Sequence, residues 1–454
     1  MYVIYRALTA LSMVVLAPYY ALRGWRRGEK HAFRERFGAL PAQITDAAAG
    51  VVDSPSGCGG SSGAIWIHAV SVGEVLAAKP LVEGLKRRMP SRRVYVSTTT
   101  ETGQQLARER LKCADAVFYF PLDWVFPVRR ALRQMRPALV VIMETEIWPN
   151  FLREARKMGV PVVFANARIS ERSFARYNRW KFLTTEFYME VMQDAELFLA
   201  QSEEDAMRLR AIGASEERVE VAGNLKYDSE PPAPTAFGAW LSAQVAAQER
   251  WPVLVAGSVV ALEEEAVLAA YDIVQRQFRR ALLVLAPRKP DRFDAAADIA
   301  EAGGWHVVRR SRIDVNAPLD EGADVLLLDS IGELAGLYAL ADAVFVGGSL
   351  VSAGGHNILE PAWFGRVPVF GASMENFRDM ADRFLNAKAA IQVHSGPELG
   401  KVWAQLIEAG SLRERMGQAA RAIWDRNRGA TERCLERITE ILEREERERK
   451  GSAA

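Results

Sequence analysis

The strongest constraint on the fold is an alternation that occurs twice: short apolar runs separated by amphipathic helical patterns, on either side of the proline-rich segment 229–235 (SEPPAPT). In the first half the spacing predicts strands at 65–69, 94–97, 116–119, 139–143, 161–165 and 197–200. In the second half it predicts them at 253–256, 281–286, 306–309, 325–328, 343–346 and 367–370. Strands alternating with helices imply parallel sheets joined by right-handed crossovers. The expected class is α/β, with two Rossmann-like domains facing one another. Ligands of such sheets bind at the carboxyl ends of the strands, so the loops there are where chemistry is sought.

A chain of 454 residues is too long for one core. The expected division is a membrane anchor with basic flank (1–37), a flexible linker (38–63) and a first domain (64–228). A semi-rigid linker (229–235), a second domain (236–430) and a C-terminal helix or tail (431–454) follow. The linker contains the Gly/Ser-rich run AAAGVVDSPSGCGGSSG at 47–63, and the last segment is dense in Glu and Arg at helical spacing. Between Met1 and Leu22 the only charged side chain is Arg6, and Arg23, Arg26, Arg27, Lys30, Arg34 and Arg36 follow. Such a segment suits a retained anchor, spanning a bilayer or lying in its interface with Tyr19, Tyr20 and Trp25 at headgroup level, and the basic flank stays cytoplasmic. The alternative is a buried helix of the body. A cleavable signal peptide fits poorly, because LAPYY is a weak cleavage context.

Net charge of +1 argues against a general nucleic-acid binder. Cys58, Cys113 and Cys434 are far apart, which suits a reducing compartment and no metal or disulfide framework.

Chemistry-bearing residues recur after the strands. The run FVGGSLVSAGGHNILEPA at 345–362 places Gly347, Gly348, Ser349, Gly354, Gly355 and Asn357 where a strand gives way to a helix. Glycines permit positive φ and close approach, and free N–H groups at a helix start suit phosphate. Glu360 is placed to accept from a ribose diol. The same residues also suit a turn that serves only packing. HAVSVGE at 68–74 puts Glu74 at a helix start, either as a capping carboxylate or as a general base. METEIWPN at 143–150 sets Glu144 and Glu146 two apart, which a strand would point to one side, and crowded carboxylates need a nearby cation or donor. Lys226 in GNLKYD (223–228) is a candidate, although a lysine also pairs readily with any acidic surface neighbour. Arg288 lies between Pro287 and Pro290 at a strand end, a fork for phosphate or carboxylate. Gly332 and Glu333 repeat the arrangement of Gly73 and Glu74. GxGxxG, the Walker loop, HExxH and a metal-holding Asp-x-Asp pair are all lacking. A transfer without metal or cofactor is favoured, with leaving-group charge neutralised by helix ends, Arg288 and Lys226.

HAVSVGE, METEIWPN, GNLKYD, APRKP (286–290) and GGSLVSAGGHNILEPA (347–362), in that order, resemble the 3-deoxy-D-manno-octulosonic acid (Kdo) transferases of Gram-negative bacteria. The resemblance spans nearly the whole chain, including the N-terminal anchor. It implies the GT-B glycosyltransferase fold and inverting transfer of Kdo from CMP-Kdo to the lipid A precursor, in lipopolysaccharide synthesis at the cytoplasmic face of the inner membrane. By resemblance Glu74 is the general base, Glu144 and Lys226 stabilise the transition state, and Glu146 stands as an alternative to Glu144. Pro287 with Arg288, Ile331, Gly332 and Glu333, and Asn357, Ile358, Leu359 and Glu360 match segments that bind CMP. The Gly/Ser-rich run before the first motif departs from the tight link expected between anchor and catalytic domain.

Overall fold

The computed structural model describes residues 1–26, 30–50 and 63–452. They form two compact units, Met1–Ser229 together with Asn427–Ala454, and Glu230–Arg426. The first unit holds strands β1 (Ile65–His68), β2 (Val94–Thr98), β3 (Ala116–Tyr119), β4 (Leu139–Met143), β5 (Val162–Ala167), β6 (Leu197–Ala200) and β7 (Val219–Val221). The second holds β8 (Val253–Val259), β9 (Leu282–Pro287), β10 (Val307–Arg309), β11 (Val325–Leu327), β12 (Ala343–Val346), β13 (Val369–Phe370) and β14 (Ile391–Gln392). Each of the twelve expected runs contains a strand. Sequence reading missed the edge strands β7 and β14, where Glu220 and Gln392 interrupt the apolar run.

The two sheets run in the orders β3-β2-β1-β4-β5-β6-β7 and β10-β11-β9-β8-β12-β13-β14. All pairings are parallel, as near-continuous apolar strands covered on both faces require. The order reverses between β1 and β4 in the first unit and between β8 and β12 in the second, where β11 also inserts between β9 and β10. A reversal leaves a crevice at the carboxyl ends, because the two crossovers depart to opposite faces. The motifs around Glu74 and Glu144 follow β1 and β4, and the 347–362 run follows β12.

Helices α1 (Tyr2–Arg26), α2 (Lys30–Arg36), α3 (Ala42–Gly50), α4 (Val72–Arg88), α5 (Glu101–Arg110), α6 (Val125–Met135) and α7 (Pro149–Lys157) belong to the first unit. Successive residues of β1 point to opposite faces of the sheet. Trp66 packs edge-on against Phe151, ring centroids 5.1 Å apart, while Ile65 and Ile67 join the opposite core. That second core is covered by the C-terminal helix Ala430–Ser452, through Ala430, Cys434, Leu435, Ile438 and Leu442 at helical spacing. Gly84 of α4 permits this contact, since a Cβ there would stand 2.4 Å from Leu435 Cδ1. Asp228 fixes the start of the helix by accepting from Gly429 N (2.6 Å) and Thr431 N. The last segment therefore completes the first unit, although it follows the second in sequence.

One expectation needs correction. Part of the 38–63 linker is ordered, because α3 buries Ile44 completely; residues 51–62, with Cys58, lie outside the described residues. The N-terminal segment is helical, but among the described residues no helix is long and apolar enough to cross a membrane. Polar residues on one side of α1 bind the body. Tyr2 OH donates to Pro149 O, Tyr5 OH to Asp123 Oδ2 (2.8 Å), and Arg6 pairs with Glu154 (2.7 Å). Farther along, Trp124 Nε1 donates to Ser12 Oγ at 3.2 Å. Cys113 and Cys434 are free thiols.

Candidate active site

Ser71 is the N-cap of α4, and Glu74, three residues on, is buried at 7% exposure. Its Oε1 accepts from Ser71 Oγ (2.9 Å) and its Oε2 from Val70 N (2.8 Å), while Glu74 N donates back to Ser71 Oγ (3.4 Å), a variant of the capping box in which the carboxylate reaches the residue before the cap. Capping alone would favour the ionised carboxylate. Burial outweighs it, and with repulsion from Glu144 and Glu146 it pushes the Glu74 carboxyl up from 4.5 to about 7, against the bonds from Val70 and Ser71. Such a carboxyl exchanges a proton near neutral pH, as an acid–base catalyst must.

Glu144 is the first residue past β4, and its backbone is left-handed, at φ 53°. Strain of this kind in a non-glycine residue persists only where surroundings impose it. Here Glu144 N donates to Ala165 O at 3.0 Å, continuing the β4–β5 ladder through the turn. The expected strand geometry, with Glu144 and Glu146 on one side, does not hold, because both lie beyond the strand end. Glu146 is half-buried and its carboxyl is raised by burial and then by Glu144. The compensating cation is Lys226, whose Nζ lies 3.5 Å from Glu144 Oε1. It sits in the single-turn helix Leu225–Asp228, held by Asn224 Oδ1 accepting from Lys226 N (2.9 Å) and Asn166 Oδ1 from Leu225 N (2.9 Å). Glu74, Glu144, Glu146 and Lys226 thus form one charged group around the reversal point of the first sheet.

The rest of METEIWPN is structural. Pro149 opens α7, and buried Asp123 accepts from Asn150 N (3.1 Å) and Phe151 N (2.8 Å) at the start of that helix. Sequence reading missed Asp123, which nothing local distinguishes.

In the second unit the glycine-rich run follows β12, with Gly348, Gly354 and Gly355 at positive φ. Its N–H groups were expected to meet phosphate, but most are taken within the fold. The wholly buried Glu263 accepts from Gly348 N (2.6 Å), Ser349 N (2.8 Å), Leu350 N (2.8 Å) and Val260 N (3.1 Å). Gly354 N donates to Ser373 Oγ and Gly355 N to Gly348 O. Buried Ser349 donates to Val346 O and accepts from Gly371 N. Gly347 has β8 against it, a Cβ there falling 2.5 Å from Ser258 O. Glu263 follows β8, so it locks the loops of the two strands that flank the reversal point. In sequence it is hidden in the run Glu263–Glu265, which reads as an ordinary acidic helix start.

Beyond this locked base lie the groups that can meet a ligand. The helix after the run is one turn, Leu359–Ala362, with Ile358 and Leu359 buried. Asn357 Oδ1 accepts from Leu359 N (3.1 Å), and Asn357 Nδ2 lies 3.4 Å from Glu360 Oε1. Burial pushes Glu360 up to about 7, moderated by Arg288 and then by Asn357. Arg288, exposed after buried Pro287, also adds to the burial that holds His356 down to about 4. His356 Nε2 is buried without a partner among the described residues. Sequence reading passed over His356, although it lies inside the motif. Ile331 is 74% exposed and Gly332 has φ 93°. Glu333 is engaged by a two-point pair with Arg310 (3.1 and 3.2 Å), whose guanidinium stacks on Phe237 at 4.1 Å. Among the described residues no hydrogen bond or ion pair joins Ile331–Glu333 with Asn357–Glu360. No group of three or more His, Cys, Asp or Glu suited to a metal ion occurs among the described residues.

The family model described as 3-Deoxy-D-manno-octulosonic-acid transferase (kdotransferase) matches residues 31–229. A 3-deoxy-D-manno-octulosonic acid transferase of Haemophilus influenzae is 34% identical over 383 residues, 84% of this chain and 87% of that protein. The chain belongs to the Kdo transferase family. The Kdo transferase of Bordetella pertussis is 33% identical over 453 residues, covering 96% of this chain and 99% of the relative. Among solved structures, UDP-GlcNAc 2-epimerase from Neisseria meningitidis superposes with a TM-score of 0.54 at 13% identity, over 83% of this chain and 99% of that one. At that identity the likeness shows the fold alone, two parallel-sheet α/β domains of the GT-B-like kind.

Proposed function

We propose that this Kdo transferase moves Kdo from CMP-Kdo to the lipid A precursor, with inversion and without a metal ion, at the cytoplasmic face of the inner membrane. The observation that carries this reading is Glu74, a buried carboxyl with a value near 7 beside the Glu144–Lys226 pair. As the acceptor hydroxyl oxygen forms its bond to the anomeric carbon, the bond from that carbon to the CMP phosphate oxygen breaks. Glu74 takes the hydroxyl proton and CMP departs with the bonding electrons. One displacement inverts the anomeric centre. Lys226, held by Glu144, offsets negative charge at the reacting sugar.

Donor recognition is assigned to Arg288 for phosphate and to Asn357 and Glu360 for ribose, with Ile331–Glu333 contributing a further wall. The role of Gly347–Ser349 is the rigid floor on which those groups stand. Attachment to the membrane falls to α1, whose contacts with the body favour lying in the interface over spanning. Glu74→Gln tests the assignment of roles. Transfer is lost while CMP affinity, measured by calorimetry, stays nearly constant. Turnover close to wild type would remove Glu74 from the base role.

A further inference from the structure

Helix α1 uses only part of its circumference to bind the body. At about 100° per residue, Tyr2, Tyr5, Arg6, Thr9 and Ser12 fall on one side, and these make the contacts with the body. Val3, Ile4, Leu8, Leu11 and Val14 fall on the opposite side and are exposed, Val3 at 80% and Val14 at 73%. Contiguous exposed apolar surface of this kind is rare on a protein that meets only water.

Along one flank of that stripe, between α1 and α6, runs a groove of about 660 Å³. Its polar lining is strongly basic, with Arg6, Arg129, Arg130 and Arg133, and its apolar lining includes Met13 and Trp124. Arg6 and Arg129 both pair with Glu154. Arg130 and Arg133 are exposed, and among the described residues neither forms an ion pair. Phe126, one turn before Arg130 on the same face of α6, is 59% exposed. Two uncompensated guanidinium groups therefore stand beside an apolar stripe and an exposed ring. That combination complements an amphiphile with an anionic head, since guanidinium binds phosphate through paired hydrogen bonds and apolar side chains enter the acyl boundary.

We propose that the groove between α1 and α6 binds the phosphate headgroup of an anionic bilayer phospholipid, while the Val3–Val14 stripe and Phe126 enter the outer part of the acyl layer. This rests on the membrane attachment proposed above and deepens it. The helix lies on the bilayer, and the groove gives it a preference for lipid charge.

The test uses the full chain and sedimentation with vesicles of phosphatidylcholine, with and without phosphatidylglycerol. Binding rises with phosphatidylglycerol. Arg130→Ala/Arg133→Ala lowers it about ten- to thirtyfold, at the strength expected of two arginines near an anionic surface, and Arg130→Lys/Arg133→Lys largely retains it. Leu8→Ser/Leu11→Ser weakens binding to both kinds of vesicle. Equal binding to the two vesicles, or no effect of removing Arg130 and Arg133, would overturn the proposal. So would tight binding of free glycerol 3-phosphate at these arginines without vesicle preference, which would mark a soluble-anion site. Kdo transfer to detergent-dispersed acceptor separates the two readings. The Arg130→Ala/Arg133→Ala variant keeps its rate there even if vesicle binding fails, and a raised KM for acceptor would assign the groove to the acceptor instead.

Discussion

Replacing Glu74 by Gln removes an ionisation that its surroundings oppose, and the effect is large enough to read in thermal unfolding. The folded carboxyl sits at about 7 and the unfolded one at 4.5, a separation worth about 3 kcal/mol at ~1.4 kcal/mol per pH unit. The folded value is the raised one. The contribution to stability is therefore fully present below 4.5, declines as the unfolded chain ionises first, and is lost once pH passes about 7. Gln is neutral throughout and lacks this decline. Wild type and Glu74→Gln should have similar Tm values near pH 4. By about pH 8 the variant should be higher by on the order of 6–12 °C, at roughly 2–4 °C per kcal/mol. Activity moves the opposite way, with wild-type kcat/KM falling about tenfold per pH unit below about pH 7. Glu144→Gln removes the repulsion that helps raise Glu74 and should move that limb to lower pH. A Tm difference that does not change with pH, or a limb that Glu144→Gln leaves in place, would refute the assignment.

Lys226→Met leaves Glu144 uncompensated beside Glu74, and transfer should fall by roughly 10²–10³-fold with little change in donor KM. A rate within a few fold of wild type would end its proposed role. Glu263→Gln, which puts an amide among four N–H donors, should raise donor KM roughly ten- to hundredfold, in line with ~1.5–3 kcal/mol for a charged hydrogen bond. An unchanged KM would show that the loop does not need this lock. Gly347→Ala should act in the same direction, because its Cβ meets Ser258 O at 2.5 Å, and normal donor binding would contradict that. Prolonged EDTA treatment should leave turnover intact, and a loss restored by magnesium would overturn the metal-free reading.

Much of the fold was legible because parallel strands covered on both faces are continuous apolar runs, and β1, β4, β8 and β12 all read that way. Edge strands β7 and β14 were not, since Glu220 and Gln392 break the apolar runs there. The union of the C-terminal helix with the first unit was invisible too, because Leu435 meets Gly84 only through tertiary folding. At the site, Glu144 stood out because it directly follows a buried strand, whereas Glu74 at a helix start and Lys226 in the turn after β7 each kept a purely structural alternative. The use of the loop N–H groups was not legible. Glu263 looks like any acidic helix start, and only the pairing of β8 with β12 brings it beneath Gly348–Leu350. At the N-terminus, low charge suits a spanning and an interfacial anchor alike, and the contacts of Tyr2, Tyr5 and Ser12 with the body were not legible because such side chains count as nearly neutral on a hydropathy scale.

The most direct test of the account is mass spectrometry of the lipid product after the full chain is incubated with lipid A precursor and either CMP-Kdo or a UDP-sugar. The account predicts a lipid heavier by whole Kdo residues and free CMP from the first donor, no product from the second, and none from Glu74→Gln with either. Failure to use CMP-Kdo under conditions where a UDP-sugar is transferred would contradict it.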